Sequence, residues 1–519
     1  MKTPGTLLIR TDAGTEIGHG HVMRCLALAQ AWQDRGGSCV FAVAGEIGAL
    51  KEWLSLENCS ITRIAAVPGN NEDLKQLLTA AQRVNPRWVV VDGYHFSAEY
   101  HRSLRETGHK VLVIDDDGSA EHFADIVLDQ NAGAEETSYA QCKEHTKRLL
   151  GPRFALLRRE FRAWHRWHRE IPGVARKVLV TMGGSDPRNI TKRVVEALAA
   201  LGDRQLEIRV VAGASYNKLD TLKSWVAGQD DRFTVVADPK NMPELMQWAD
   251  LAVSAAGSTC WEMCLAGLPA VIMDIAENQG AIARELSGRG IALHVPSSQA
   301  TAETIVASVE SLLLDPERRA AMSSRARQLV DGYGAIRVVA AMRAHGCTLR
   351  RASQSDCRIL WQWANDPHVR QASFSSDSIP WEAHCRWFSQ KVSEPNCLFL
   401  MFESEGTPVA TIRTQNTPSS DVEMSITMSA EYRGQGLAPM LLERAVEAVF
   451  AATKADNVHA FIKPENRASL RAFENAGFLL LGTTQVKGSQ ALRYLRERAP
   501  ITSARARVRA DAMQGVLSW

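Results

Sequence analysis

The sequence predicts an α/β protein: two successive doubly wound parallel-sheet domains, then a smaller α+β domain. Three observations carry this prediction. Over the first 340 residues, short apolar runs without strict alternation take turns with helical stretches, as parallel strands buried on both faces require. After about residue 345 the runs read instead as antiparallel strands. A length of 519 residues, at roughly 150 per domain, accommodates three or four domains.

The first set of strands is expected at residues 6–10, 39–44, 88–92, 111–115 and 126–129, with helices at 21–35 and 73–84. A polar stretch, 158–170, carries Trp164 and Trp167 and links this set to the next. The second set falls at 177–182, 207–212, 233–237, 251–254 and 270–273, with helices at 189–201 and 258–266. Alternation of this kind implies two domains with helices on both sheet faces. A new strand at 347–351 opens the third domain, followed by strands at 397–403, 409–414 and 423–428 and a long helix from about 438 to 452. The expected domains are therefore 1–165, 166–345 and 346–498. Residues 499–519, with Arg505, Arg507 and Arg509 and little hydrophobic patterning, read as a basic tail.

Composition narrows the function classes. The chain is 45% hydrophobic and 23% charged, and 60 Lys+Arg against 58 Asp+Glu leave a formal +2. That excludes a nucleic-acid scaffold held by bulk charge. None of the ten cysteines forms a CxxC pair, which argues against a zinc ribbon or a thioredoxin-like site and for scattered reduced thiols in a cytoplasmic protein. The apolar run 7–9 is broken by Arg10 and Asp12, too short for a signal peptide, and no apolar stretch approaches the ~20 residues of a membrane span. Neither a membrane nor a nucleic acid is expected as a partner.

Polar residues of unusual type gather after the strands, where open α/β sheets bind ligands. The first strand runs through Asp12 into Gly18-His19-Gly20-His21 and then Arg24. By itself this segment fits a plain β-to-α turn with a capping histidine as well as a loop approaching phosphate. Met182-Gly183-Gly184-Ser185-Asp186 follows another strand. Ser254-Ala255-Ala256-Gly257-Ser258-Thr259 joins a third strand to a helix carrying Glu262, and Glu277-Asn278-Gln279 lies beyond the next strand end. Gly257, Ser258 and Thr259 offer donors to phosphate, and Glu262 suits a ribose diol, although a first-turn glutamate also complements the helix dipole. His165 and His168 have no third ligand spaced to join them, so they read as part of a solvated helix rather than a metal site.

These segments, together with VVDGYHF, IDDD with VLDQNAG, LLGPRFALLRREF and TMGGSDPRN, resemble the UDP-sugar hydrolases of pseudaminic acid synthesis across about residues 5–340. The resemblance implies a GT-B-like pair of Rossmann-like domains that cleaves the anomeric C–O bond of a UDP-linked 2,4-diacetamido-2,4,6-trideoxy sugar. It places the active-site base on His21. UDP is a leaving group of low basicity, so one base activating water should suffice, without metal, and direct attack implies inversion. Asp12 is expected to orient His21. Gly18, Gly20, Arg24, Gly184, Gly257, Ser258, Thr259, Glu262 and Asn278 are expected on the UDP-sugar.

In the third domain, Arg433-Gly434-Gln435-Gly436-Leu437-Ala438 follows a strand and opens the long helix, exposing backbone N–H groups to a pyrophosphate. The segment matches R/Q-x-x-G-x-G/A and, with Asn466, Ser469, Phe473, Gly477 and Phe478, resembles the GNAT acetyltransferases over about 347–498. The resemblance implies acetyl-CoA as co-substrate, held by 433–438 and Asn466. Many relatives have tyrosine where Phe473 stands, so the acid is open, with Tyr494 a candidate. Glu423 and Glu431 are candidate bases. Trp363-Ala364-Asn365-Asp366-Pro367 resembles the acceptor side of the N-acetyltransferase that precedes the hydrolase step, which makes the chain a fusion of consecutive steps. A GT-B glycosyltransferase joined to an unrelated acetyltransferase, and a nucleotide-sugar sensor without catalysis, are the alternatives.

Overall fold

The computed structural model describes residues 4–498 except 15–18, 46–47, 49, 117, 119–120, 135–136, 144, 203–204, 214, 229–230, 277, 396 and 417–420. The basic tail expected at 499–519 lies outside the described residues, as does Gly18. The chain divides into two compact units at Val339/Ala340, within the helix Gly334–His345.

The first unit holds two parallel sheets. Strands β1 (Thr6–Thr11), β2 (Ser38–Ala44), β3 (Ser60–Ile64), β4 (Trp88–Asp92), β5 (Val111–Ile114), β6 (Ile126–Asp129) and β7 (Lys147–Leu150) run in the order β3-β2-β1-β4-β5-β6-β7. Strands β8 (Lys177–Thr181), β9 (Glu207–Ala212), β10 (Phe233–Ala237), β11 (Leu251–Ala255), β12 (Ala270–Met273) and β13 (Ala292–His294) run β10-β9-β8-β11-β12-β13. In both, the central strands are solidly apolar: Leu7, Leu8 and Ile9 of β1 and Leu251, Ala252 and Val253 of β11 are wholly buried. Each order reverses once, between β1 and β4 and between β8 and β11, and such reversals open a ligand crevice at the carboxyl ends of the strands.

The two doubly wound domains and the α+β domain stand as the sequence predicts, and the two doubly wound sheets carry three strands beyond those expected. These, β3, β7 and β13, all lie at sheet edges. Edge strands have one exposed flank and are short or charged, so β3 (SITRI) and β7 (KRLL) lack the apolar run that marks a central strand.

The second unit holds one mixed sheet. Its strands β14 (Cys347–Arg351), β15 (Phe399–Ser404), β16 (Thr407–Asn416), β17 (Val422–Met428), β18 (Asn457–Ile462), β19 (Leu479–Val486) and β20 (Ser489–Glu497) run β14-β15-β16-β17-β18-β20-β19. All neighbours are antiparallel except β17 and β18, which are parallel and pair only at Val422↔Val458 and Glu423↔His459. Beyond those two residues the pair splays. The helix Leu437–Ala452 starts after β17 and buries Leu441, Leu442, Ala445 and Val449 against the sheet.

Candidate active sites

In the first unit the site is built around the helix Gly20–Gln33, which starts at the β1/β4 crevice. His21 and Arg24 lie one turn apart on one face of that helix, both more than nine-tenths buried, and both reach Asp92 at the end of β4. His21 Nδ1 lies 2.7 Å from Asp92 Oδ1. A carboxylate can only accept, so Nδ1 carries the proton and Nε2 is left as the lone-pair nitrogen. Arg24 donates to both oxygens of Asp92 (2.8 and 2.6 Å) and to Asp116 (2.6 and 3.1 Å), while Cys25 Sγ donates to Asp92 at 3.3 Å. Burial alone would raise Asp92, but the charge of Arg24 and the hydrogen bonds from Arg24 and His21 outweigh it and hold the carboxyl well below the usual range. Asp116 is pulled the same way: burial opposes ionisation and the Arg24 charge overcomes it.

The hydrogen bonds continue across the two sheets' domains. Asn278 Nδ2 donates to the Tyr94 hydroxyl at 2.7 Å, and that hydroxyl donates to Asp116 at 2.7 Å. The Tyr94 ring meets His21 edge-on, with centroids 5.0 Å apart. Tyr94 therefore touches the imidazole directly and, through Asp116 and Arg24, its carboxylate partner. On the other side of the helix start, His19 Nε2 pairs with Ser215 Oγ at 2.7 Å, and His19 lies against Gly184, where an added Cβ would sit 3.2 Å from the ring. A Cβ on Gly20 would lie 3.6 Å from Ser258 Oγ. The Gly20, Gly184, Ser258 and Asn278 loops thus converge on one crevice between the domains. Gly257 and Thr259 flank Ser258 at its start of the helix Thr259–Leu265. Glu262, inside that helix, faces Arg158 Nη2 at 3.6 Å, and burial pushes its carboxyl up to about 7, against the pull of Arg158.

Two residues stand elsewhere than expected. Asp12 does not orient His21. Its carboxylate accepts from Arg10 Nη1 (2.6 Å) and the Ala44 N–H (2.7 Å), and lies 3.2 Å from His95 Nε2. Arg10, wholly buried, is held in turn by Asp73, so Asp12 belongs to a buried ion network beside the site. Asp92 fills the orienting position instead. Arg24, expected on the substrate, has its guanidinium occupied by Asp92 and Asp116 and acts on His21 from behind. Asp92, Tyr94 and Asp116 were not singled out from the sequence. The signal was present in the polar residues that follow the apolar runs in VVVDGY and VLVIDD, at the carboxyl ends of β4 and β5.

In the second unit, Gly434 and Gly436 take left-handed φ of 69° and 74°, which turns the chain from β17 into the helix Leu437–Ala452 and aims its first N–H groups outward. Leu437 is buried beneath this turn and Ala438 half-buried. Arg433 Nε donates to the Met428 carbonyl at 3.0 Å and Nη1 to Asp366 at 2.8 Å. Gln435 points inward, bonded to the Glu431 carbonyl and to Arg343. Asn466 caps the helix Arg467–Asn475 by accepting the Ser469 N–H at 3.2 Å. Glu423 lies on β17 where pairing with β18 ends, and Glu431 is exposed. Tyr494 is 1% exposed and its hydroxyl donates to Glu474 at 2.7 Å. Among the described residues no group of three His, Cys, Asp or Glu side chains is placed to hold a metal ion, and no helix is long and apolar enough to cross a membrane.

The comparisons with known proteins fall on the same two units. Residues 178–333 match the glycosyltransferase family 28 C-terminal domain, and residues 347–479 match the acetyltransferase (GNAT) domain. The chain is a GT-B-like pair of Rossmann-like domains fused to a GNAT domain. More particularly, its first unit is homologous to the UDP-2,4-diacetamido-2,4,6-trideoxy-β-L-altropyranose hydrolase of Campylobacter jejuni, 24% identical over 292 residues, 55% of this chain and 97% of that enzyme. An uncharacterized protein of Methanocaldococcus jannaschii is 22% identical over 497 residues, 91% of this chain and 96% of its own, so the alignment runs through both units. Among solved structures, MurG of Acinetobacter baumannii aligns over 64% of this chain and 98% of its own, at 19% identity and a TM-score of 0.47.

Proposed function

We propose that the chain carries out two consecutive steps on one sugar nucleotide in pseudaminic acid synthesis. The GNAT domain acetylates the amine of a UDP-4-amino sugar with acetyl-CoA. The GT-B-like unit then hydrolyses the UDP-2,4-diacetamido-2,4,6-trideoxy sugar to UDP and free sugar. The observation that carries the second step is the His21–Asp92 pair at the interdomain crevice. His21 Nε2 takes a proton from water as the water oxygen bonds to C1. The electron pair of the C1–O bond leaves with UDP, and the configuration at C1 inverts. The ionised Asp92 stabilises the imidazolium formed in that step and fixes the ring's tautomer. Asn278, Ser258, Thr259, Glu262 and the glycine turns at 20, 184 and 257 are proposed to hold the nucleotide.

For acetyl transfer, the N–H groups of 434–438 are proposed to take the acetyl-CoA pyrophosphate. Glu423, at the point where β17 and β18 part, is the proposed base for the amine, ahead of Glu431. The amine nitrogen bonds to the thioester carbon, CoA leaves as thiolate, and that thiolate takes up a proton. Tyr494 serves as its donor only if its bond to Glu474 opens. A cytoplasmic enzyme with only small anionic partners is consistent with the near-zero net charge.

The match to the glycosyltransferase family 28 C-terminal domain favours a second reading, transfer of the sugar to an acceptor. One experiment separates the two. The protein is given acetyl-CoA and the UDP-4-amino sugar, and CoA, UDP and the anomeric configuration are followed by NMR. Release of UDP with inversion and no added acceptor is expected. Absence of UDP release refutes the hydrolase reading, and retention refutes single-step attack by water.

A further inference from the structure

The helix Pro367–Ala372 is tied at its two ends to two different strands of the GNAT sheet. At its start, Asp366 accepts from the His368 and Val369 N–H groups (3.0 and 3.3 Å) and from Arg433 Nη1 at 2.8 Å. Arg433 is itself fixed to the end of β17 by its bond to the Met428 carbonyl. At the other end, Lys463 Nζ, one residue past β18, donates to the Gln371 carbonyl at 3.1 Å. The two anchor points are the carboxyl ends of β17 and β18, parallel neighbours that pair with each other only at Val422↔Val458 and Glu423↔His459. Paired strands lie about 4.8 Å apart, whereas six helical residues span roughly 9 Å, a length that fits two strands that have parted.

The pairing of Arg433 is incomplete. Nη1 is held by Asp366, while Nη2 is buried and has no hydrogen-bond partner among the described residues. A buried guanidinium nitrogen left without an acceptor is costly, so this arginine gains by turning to an anion that can meet both nitrogens. A diphosphate on the adjacent glycine turn is such an anion.

We infer that the helix Pro367–Ala372 is a strap across the open end of the β17/β18 splay, and that Asp366 is a positioning residue that occupies Arg433 until a diphosphate displaces it. The inference rests on the reading that residues 433–438 take the pyrophosphate of CoA. Cofactor arrival then frees Asp366 and with it the segment Trp363–Pro367 that resembles an acceptor side. Cofactor binding and the shape of the acceptor side are coupled through one ion pair, and the cofactor binds first.

Calorimetry with CoA and hydrogen–deuterium exchange on the full chain test this. In the unmodified protein, CoA should bind and should speed exchange of the amides at 367–372. Asp366→Asn keeps the cap but removes the competing charge. It should exchange faster at 367–372 without ligand and bind CoA up to about five-fold tighter, the range of a partly exposed ion pair. Lys463→Met frees the other end, and should speed exchange at 367–372 while CoA affinity stays within about two-fold. Equal or weaker CoA binding by Asp366→Asn, protection of 367–372 by CoA, or unchanged exchange in Lys463→Met overturns the strap. Failure of the unmodified protein to bind CoA is a different result: it refutes the cofactor reading and removes the strap's ligand with it.

Discussion

The two candidate sites are built in opposite ways. Around His21 the structure relies on side chains brought from far apart in sequence: Asp92 is 71 residues away and Asp116 a further 24, and both are ionised and buried against Arg24. At residues 433–438 it relies on backbone, with two glycines and a helix start contiguous in sequence. The first design fixes a proton-accepting nitrogen. The second presents N–H groups to charge that a ligand brings. Chemistry that moves a proton needs a ring of known tautomer and therefore distant carboxylates, whereas holding a pyrophosphate needs only a turn.

The largest effect belongs to the carboxylate behind His21. Asp92→Asn removes the charge and turns one acceptor oxygen into an N–H donor, so the tautomer is no longer set, and should lower UDP release by about 10³–10⁴-fold. His21→Ala should abolish release while UDP binding persists. In both variants CoA release from the GNAT domain should be unchanged. A UDP-release rate within about ten-fold of the unmodified protein in either variant would remove His21 from the chemistry.

A backbone site should respond to a backbone change. Gly436→Val places a β-branched residue at a left-handed φ of 74°, which costs about 1–2 kcal/mol unless the turn rearranges. CoA affinity should fall by about ten-fold, with UDP release untouched. Equal affinity would show that the N–H groups of this turn do not hold the cofactor. A smaller effect is expected at the rim of the His21 network. Tyr94→Phe deletes the hydroxyl that joins Asn278 to Asp116, and loss of these two hydrogen bonds at a largely exposed tyrosine, about 1 kcal/mol together, should lower kcat/KM for UDP release by about five-fold.

The same contrast explains what the sequence made legible. The turn 433–438 could be located residue by residue because its residues are neighbours, and each residue type has a local reason. The crevice could be located as a place, since Gly20, Gly184, Gly257 and Asn278 all follow strands. The partners of His21 could not be found by spacing, and proximity along the chain favoured Asp12 over Asp92. Asp12 directly follows β1 and Asp92 ends the neighbouring β4, so a one-strand error separates the two. Which carboxylate faces the helix is decided by sheet order and by Arg10, which draws Asp12 away. The strands β3, β7 and β13 escaped for a related reason: at an edge, composition follows solvent rather than the core.

A last prediction concerns a buried carboxyl group that, among the described residues, is held by hydrogen bonds rather than by an ion pair. Asp129, at the end of β6, accepts from the Asn131 N–H at 2.9 Å, and the single hydroxyl proton of Tyr139 is shared between Asp129 and Asp115, 2.9 and 2.8 Å away. Burial pushes Asp129 up to about 7; those hydrogen bonds oppose it, and the charges of Asp116 and Asp115 add to it. An unfolded aspartate titrates near ~3.9. Below that value both states hold the proton and Asp129 costs nothing. Between ~3.9 and about 7 the unfolded chain binds fewer protons than the folded one, so stability falls as pH rises, then levels off. Asp92 behaves oppositely: its depressed value stabilises the fold above ~3.9, and that stability is lost only in acid. Asp129→Asn removes the first dependence and leaves the second. Compared by denaturant unfolding, it should gain on the unmodified protein by on the order of 1–3 kcal/mol between about pH 5 and about pH 8. A stability difference that is flat over that interval would mean that Asp129 is already ionised in the fold, and that Tyr139 and Asn131 compensate a third buried charge beside Asp92 and Asp116.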